Sequence, residues 1–449
     1  MTEAVTARLA QYVLDTNDLP ARVRKEAKRS FLNVLGCGIG GGGHEAAEML
    51  DAALAGTTGA GVATLFGLGR KTDILHATVM NGLATSVYSY DDTHAEAIVH
   101  PAGPVMAAVM ALAERSAQSG CPIGGRDVLT AFALGVEIIC RLSKAVSVAP
   151  ARGNTAWSQT GICVGVGTAV AVGKLLGLDD TQMRAAIGIA VSQSSGIRSL
   201  HGTMCTSYMP AHAGQCGLRA GLMAAQNFTG GSEALERRYG FLTTFCEEAD
   251  LEALTGGLGE KFEILRNTYK PYPCGIVIHP MLDAILQLKA EGLTAAQVAR
   301  IDVKASPGGM ALCNRRHPQD EFQAHVSLHH WIATALLKGN TGIEVLSLPF
   351  VHDPETMTLQ ERIHATEDTS RGGDSAELTV HLRGGGTRYC NIEHGIGSAT
   401  NPMTDAQLEA KFHGQSDAKL GAERSAKLIA ACCAIDELAD AGEIGRAAG

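Results

Sequence analysis

Between residues 73 and 88 apolar side chains recur every fourth position, at Leu75, Val79, Leu83 and Val87. That spacing is the buried stripe of a helix. The first 56 residues read the same way: Val5, Leu9, Tyr12 and Val13 share a face. Pro20 opens a second helix over 22–35, with Ala27, Phe31 and Leu35 on one side. Helical patterns continue at 104–119, 127–146, 161–176, 181–192 and 211–227. They are Ala- and Gly-rich on several sides, as interior helices are. A short strand is predicted at 61–66. Near residue 262 the period changes. Residues 262–265, 301–305, 376–382 and 387–392 alternate as strands do, and Gly384-Gly385-Gly386 between the last two reads as a hairpin turn. Helices are predicted at 280–290 and at 322–338, ending at Gly339. The tail returns to helix at 405–412 and 422–438. The pattern predicts a mostly α protein. It has a large all-helical domain over 1–264, with 396–449 packing back on it, and a smaller α+β domain over 265–395.

Residues 36–43 formally contain G-x-G-x-x-G. A dinucleotide loop needs a buried strand before it, and the charged helical run Lys25–Phe31 stands there instead. The expectation is a flexible turn between two helices.

Polar chemistry concentrates where the 73–88 helix ends. The run Tyr88-Ser-Tyr-Asp91-Asp92-Thr93-His94-Ala-Glu96-Ala-Ile-Val-His100-Pro101 brings two adjacent carboxylates, a hydroxyl and two imidazoles into one loop, and Pro101 suits the first position of the next helix. Taken singly, Asp91 or Asp92 reads as a helix cap and His94 as a solvated loop residue. As a set they point to a site, because burying this many ionisable groups is costly unless they pair or work. A divalent metal on Asp91, Asp92, His94 and His100 is the weaker reading. Three further stretches carry candidates. Trp157, Ser158 and Gln159 precede a Gly-rich helix and either line a pocket or cap that helix. The long polar stretch 195–212 offers Arg198 as a carboxylate fork and Tyr208 and His212 as proton carriers; alternatively His212 starts a helix and packs. In Lys270-Pro-Tyr-Pro-Cys274, two prolines hold the chain extended and fix where Lys270 points. It is either a carboxylate anchor or a solvated hinge residue. Adjacent His329 and His330 face different sides of a helix and do not make a metal pair.

Composition narrows the classes. Among 449 residues, aromatics make up 4% and the net charge is −9, with no basic block. Both argue against nucleic acid or an anionic membrane as partner. The apolar run 161–172 is too short to span a bilayer. The 12 cysteines are scattered, with no C-x-x-C pair. Reduced core thiols in a cytoplasmic protein are expected.

These residues, taken together, resemble a known family. Asp91-Asp92-Thr93-His94 with His100-Pro101, Gly173-Lys-Leu-Leu-Gly177, Gly202-Thr-Met, His212-Ala-Gly214, Phe228-Thr-Gly230, Lys270-Pro-Tyr-Pro-Cys274 and Asn401-Pro-Met403…Lys411-Phe412 are similar to the MmgE/PrpD family. That family includes 2-methylcitrate dehydratase, cis-aconitate decarboxylase and iminodisuccinate epimerase. The resemblance implies a helical domain with an α+β lid, a homodimer, and lyase or isomerase chemistry on small polycarboxylic acids without metal or other cofactor. Asp91, Asp92, Thr93, His100 and Lys270 match the family's motifs. Three positions depart from them. Ser158 stands where members commonly carry His. Tyr208, Met209 and Pro210 stand where a Lys usually precedes the His-Ala-Gly turn. Ser89 stands where some members carry Asp. A smaller or partly apolar acid is thus an equal candidate beside cis-aconitate and 2-methylcitrate.

The expected activity is a metal-independent decarboxylase or dehydratase resembling cis-aconitate decarboxylase. An epimerase of a small acid and a non-catalytic acid-binding homologue are the alternatives. His100 would carry the proton, with Tyr208 or His212 opposite. Lys270 and Arg198 would anchor carboxylates, and Asp91 and Asp92 would orient His100. Thr93, His94, Ser158, Gln159, Thr203 and His279 would complete the substrate contacts.

Overall fold

A computed structural model describes residues 4–449. The chain forms a mostly α protein of two compact units. The first comprises the chain up to Val87, Asp91–Asn267 and Asp405–Gly449; the second comprises Tyr88–Tyr90 and Thr268–Thr404. Each has its own apolar core.

The first unit is built from α1 (Val5–Asp15), α2 (Ala21–Gly41), α3 (Glu45–Leu54), a hairpin of β1 (Ala63–Leu65) and β2 (Arg70–Thr72), α4 (Ile74–Ser86), α5 (Ala102–Gln118), α6 (Gly125–Ser147), α7 (Gln159–Leu175), α8 (Asp180–Val191) and α9 (Cys205–Ala225), with two tail helices, Asp405–Leu420 and Ala422–Cys433. Local sequence sets several starts. The Asp73 carboxylate accepts from the Leu75 and His76 amides at 2.9 and 3.0 Å, capping α4. Asp179 and Gln182 form a capping box on α8.

The glycine run is not a turn. Residues 36–41 continue α2, and their missing side chains are what the packing requires. A Cβ on Gly41 would sit 2.0 Å from the Ala84 carbonyl oxygen of α4, and one on Gly36 would sit 2.9 Å from the Phe412 ring of the tail. Glycine here admits two neighbouring elements rather than bending the chain. The same device sets α9 on α7, where a Cβ on Gly217 would lie 2.5 Å from the Gly165 carbonyl.

Other expectations also change. α9 begins at Cys205, so Tyr208 and His212 stand on a helix, not in a loop. Pro101 is the N-cap of α5 rather than its first residue. The alternating run at 262–265 is a 3-10 turn, Glu263–Arg266, because its polar groups serve α6. Glu137 accepts the Glu263 amide at 2.6 Å, while its partner Arg141 takes the Gly256 and Lys261 carbonyls, both at 2.9 Å.

The second unit holds a four-stranded sheet ordered β6–β5–β3–β4, from β3 (Val298–Ala305), β4 (Ile363–Glu367), β5 (Ala376–Leu382) and β6 (Thr387–Ile392). β3 pairs β4 in parallel, with Ile301 opposite Ile363, and β5 antiparallel, with Val303 opposite Leu378. β5 and β6 form the expected hairpin, and Gly385 and Gly386 turn it with φ of +86° and +82°. The helical pattern at 322–338 breaks at Ser327, which caps Leu328–Lys338 by accepting the His330 amide at 3.1 Å. Among the described residues no helix is long and apolar enough to cross a membrane.

Candidate active site

The chain leaves α4, contributes Tyr88–Tyr90 to the second unit, and returns to the first at Asp91. From there to α5 it makes a small hairpin. The His94 amide donates to the Val99 carbonyl at 2.9 Å, and the Val99 amide returns the bond at 3.4 Å. Ala97 and Val99 are fully buried in the helical core and hold the loop down. His94 holds it from inside. Its Nδ1 accepts the Ala97 amide at 3.0 Å, and its Nε2 lies 3.0 Å from Glu263 Oε2. Glu263 also takes the Lys144 ammonium at 2.8 Å. Burial alone would raise the Glu263 pKa, but the bonds from His94 and Lys144 outweigh it and hold the carboxyl at about 2. His94, expected as a substrate contact, is instead fully enclosed, with both ring nitrogens turned to the protein.

The acidic pair lies beneath the loop. Asp92 is fully buried, accepting Asn267 Nδ2 at 2.6 Å and the Ala102 amide at 3.4 Å. Burial first, and Asp91 next to it, push its carboxyl up to about 7. From the tail, buried Lys411 donates to Asn33 at 2.7 Å, within electrostatic reach of Cys37, as are both aspartates.

His100 emerges from this buried floor, its side chain 39% exposed. Its Nδ1 lies 2.9 Å from the Asp92 backbone carbonyl, 3.1 Å from the Thr93 hydroxyl and 3.7 Å from Asp91 Oδ2. A carbonyl oxygen only accepts, so Nδ1 carries the proton in the neutral ring. Nε2 is then left with the lone pair. Backbone and hydroxyl thus fix both tautomer and ring plane.

The second wall comes from the start of α7 and the segment 196–201. The Ser158 amide donates to the Gly196 carbonyl at 3.1 Å, and the Arg198 amide to the Ala156 carbonyl at 2.9 Å. Of its two readings, Ser158 is the helix cap: its hydroxyl accepts the Gly161 amide at 3.4 Å. Arg198 Nη2 donates to Gln159 Oε1 at 2.5 Å, and the Thr160 hydroxyl accepts the His100 amide at 3.2 Å. One chain of contacts therefore joins Asp91, Asp92, Thr93, His100, Thr160, Gln159 and Arg198. Thr203 does not enter it. Its hydroxyl donates to the Leu200 carbonyl at 2.7 Å and accepts the Cys205 amide at 3.2 Å, forming the lead-in to α9.

Tyr208 and His212 make a separate pair one turn apart on α9, their rings stacked with centroids 5.6 Å apart. His212 Nε2 lies 3.5 Å from Cys216 Sγ, and burial, then Arg219, lower its pKa. In the second unit Lys270 is buried, not a solvated hinge. Its ammonium donates to the Ser89 carbonyl at 3.0 Å and hydroxyl at 3.2 Å, and the Tyr90 hydroxyl donates to the Pro271 carbonyl at 2.9 Å. His279 is buried at the start of the helix His279–Ala290, edge-on to Tyr272 at 5.5 Å.

Two participants escape sequence reading: Thr160 and Asn267. Each is polar but sits outside the dense 88–101 run, and only the fold brings it in. Among the described residues no three His, Cys, Asp or Glu side chains gather closely enough to hold a metal ion; His94, in the metal reading, faces Glu263 instead.

Two family models match the chain, the MmgE/PrpD N-terminal domain over residues 7–254 and the MmgE/PrpD C-terminal domain over 272–435. Similar proteins include a cis-aconitate decarboxylase of Aspergillus terreus (strain NIH 2624 / FGSC A1156), 30% identical over 64% of this chain and 60% of that protein. A second, from Aspergillus terreus, is 25% identical over 97% of this chain and 94% of its own length. The cis-aconitate decarboxylase of Mus musculus is 24% identical over 99% and 93%. The matched segments run through both units and include the His100 loop and Arg198: this chain belongs to the MmgE/PrpD family.

Proposed function

We propose that this protein is a metal-independent lyase, a decarboxylase or dehydratase of a small di- or tricarboxylic acid. Its relatives' names support the lyase class. The observation that carries the reading is the His100 ring. It is held by Nδ1 against a backbone carbonyl in a side chain that is 39% exposed, a setting that suits Nε2 to act as a base or, once protonated, an acid. The chemistry required is to form or quench an electron pair on carbon next to a carboxylate. In this reading His100 Nε2 moves the one proton, and the Nδ1–H bond to the Asp92 carbonyl steadies the ring in both charge states. Asp91 lies 3.7 Å from Nδ1 and helps to orient the ring. Arg198 takes a substrate carboxylate with the guanidinium nitrogens that Gln159 leaves open. Lys270 remains the second candidate anchor on its motif. If it serves, Lys270→Met raises KM.

The test is a panel of unsaturated and hydroxylated di- and tricarboxylic acids followed by NMR in D₂O. Loss of CO₂ or water from one acid supports the lyase. Deuterium entering a C–H bond without either loss favours the epimerase. Binding without turnover marks a non-catalytic homologue.

A further inference from the structure

One short segment grips the loop that carries His100. Glu263–Arg266 is a single 3-10 turn, and Asn267 follows it. Three side chains of this segment reach three residues of the loop. Glu263 Oε2 lies 3.0 Å from His94 Nε2, Asn267 Nδ2 donates to Asp92 Oδ2 at 2.6 Å, and Arg266 pairs with Glu96. Asp92, His94, Glu263 and Asn267 are all buried. The segment is itself fixed to α6. The Glu263 amide donates to Glu137 Oε2 at 2.6 Å, and the Lys144 ammonium donates to Glu263 Oε1 at 2.8 Å. Asp92–Thr93 is extended, and successive side chains of an extended chain point to opposite sides. The segment therefore holds the two residues that flank Thr93, while Thr93 faces the other way, its hydroxyl 3.1 Å from His100 Nδ1. The carbonyl of Asp92, at 2.9 Å, holds the same nitrogen.

We propose that Glu263 and Asn267 are positioning residues for His100. They act through His94 and Asp92, keep the Asp92 carbonyl and the Thr93 hydroxyl turned to Nδ1, and so reserve Nε2 for the proton that is moved. The inference rests on the reading of His100 as the proton carrier. Removing the Asn267 amide takes the short bond from the fully buried Asp92 carboxyl and leaves it the longer one from the Ala102 amide, 3.4 Å. A buried acceptor stripped of its donor is costly, so the carboxyl shifts, and the carbonyl of the same residue shifts with it. Glu263→Gln keeps the shape of the side chain but sets an amide NH2 group against His94 or against Lys144, and the grip on His94 loosens.

Nitrogen NMR of the full-length protein, labelled with 15N in its histidine rings, tests this without substrate. Spectra are taken at about pH 8, where an ordinary imidazole is neutral. His100→Gln assigns the His100 signal. In the wild type that ring should show a single tautomer with its proton on Nδ1. Asn267→Ala and Glu263→Gln should each lose the single tautomer to a mixture. Asp179→Ala, which removes the capping box of α8, should lower the melting temperature and keep the wild-type His100 signal. That control separates loss of positioning from general loss of stability. A single Nδ1–H tautomer retained in Asn267→Ala or in Glu263→Gln overturns the role of that residue, and equal loss in Asp179→Ala overturns both roles. Either result leaves His100 standing as the proton carrier. A wild-type ring protonated on Nε2 overturns the reading of His100 as a base and this inference together.

Discussion

At the scale of single residues, two buried carboxyls carry opposite pH signatures. The folded pKa of Asp92, about 7, lies above the ordinary unfolded value of ~3.9. Between those values the folded state holds a proton that the unfolded state has lost, so stability falls as pH rises from ~4 to 7. Asp92→Asn should remove that slope, and the melting-temperature gap between variant and wild type should widen from pH 5 to pH 8. A constant gap contradicts the assignment. Glu263 runs the other way. Its folded value of about 2 lies below the unfolded ~4.3, so its stabilisation is present above ~4 and lost as pH falls toward 2. Glu263→Gln should therefore lower the melting temperature at pH 6 and hardly at all at pH 2. Part of the candidate site's clustering is legible in the sequence. Asp91, Asp92, Thr93 and His100 stand in one dense run and meet in space. His94 stood in the same run and was misread, because its partner Glu263 lies 169 positions away and no local spacing announces it. Arg198 and Gln159 were candidates separately, and their bond to one another is a product of the fold.

At the scale of elements, the glycines of α2 make the sharpest case. Sequence reading takes Gly36–Gly43 as a hinge, because glycine is costly within a helix. The structure keeps α2 helical through Gly41, because α4 and the tail approach too closely for any side chain. Gly41→Ala should raise local helix propensity and still destabilise the protein by about 1–3 kcal/mol in urea melts, through overpacking against the Ala84 carbonyl. An unchanged or raised stability contradicts that packing. Strongly periodic segments such as α4, α6, α7 and β5 were legible from pattern alone. The strands Arg70–Thr72 and Ile363–Glu367 were not. The first is three residues long, and the second, mostly exposed, lacks the alternation that betrays an inward face. The 195–212 stretch looked like one loop because Pro210 and the polar run Cys205–Tyr208 hid a helix whose buried face is supplied by Met209, Ala213 and Cys216.

At the scale of the whole molecule, each compact unit has a core of its own, and the chain passes between the units at residues 87–88, 90–91, 267–268 and 404–405. Separate cores predict unfolding that is not a single two-state event, so the calorimetric enthalpy should exceed the van't Hoff enthalpy. Equal enthalpies contradict it. That the chain is mostly helical with a smaller α+β part was legible from the change of period near residue 262, because period depends on burial of faces rather than on any one contact. The return of Tyr88–Tyr90 to the second unit was not, since it rests on Lys270 reaching Ser89 across 181 positions. The central claim is that His100 moves the proton. The most direct measurement is turnover of the acid identified in D₂O, wild type against His100→Ala, with folding checked by melting temperature. The account predicts a loss of about 10²-fold or more in kcat with the fold intact; full turnover by His100→Ala contradicts it.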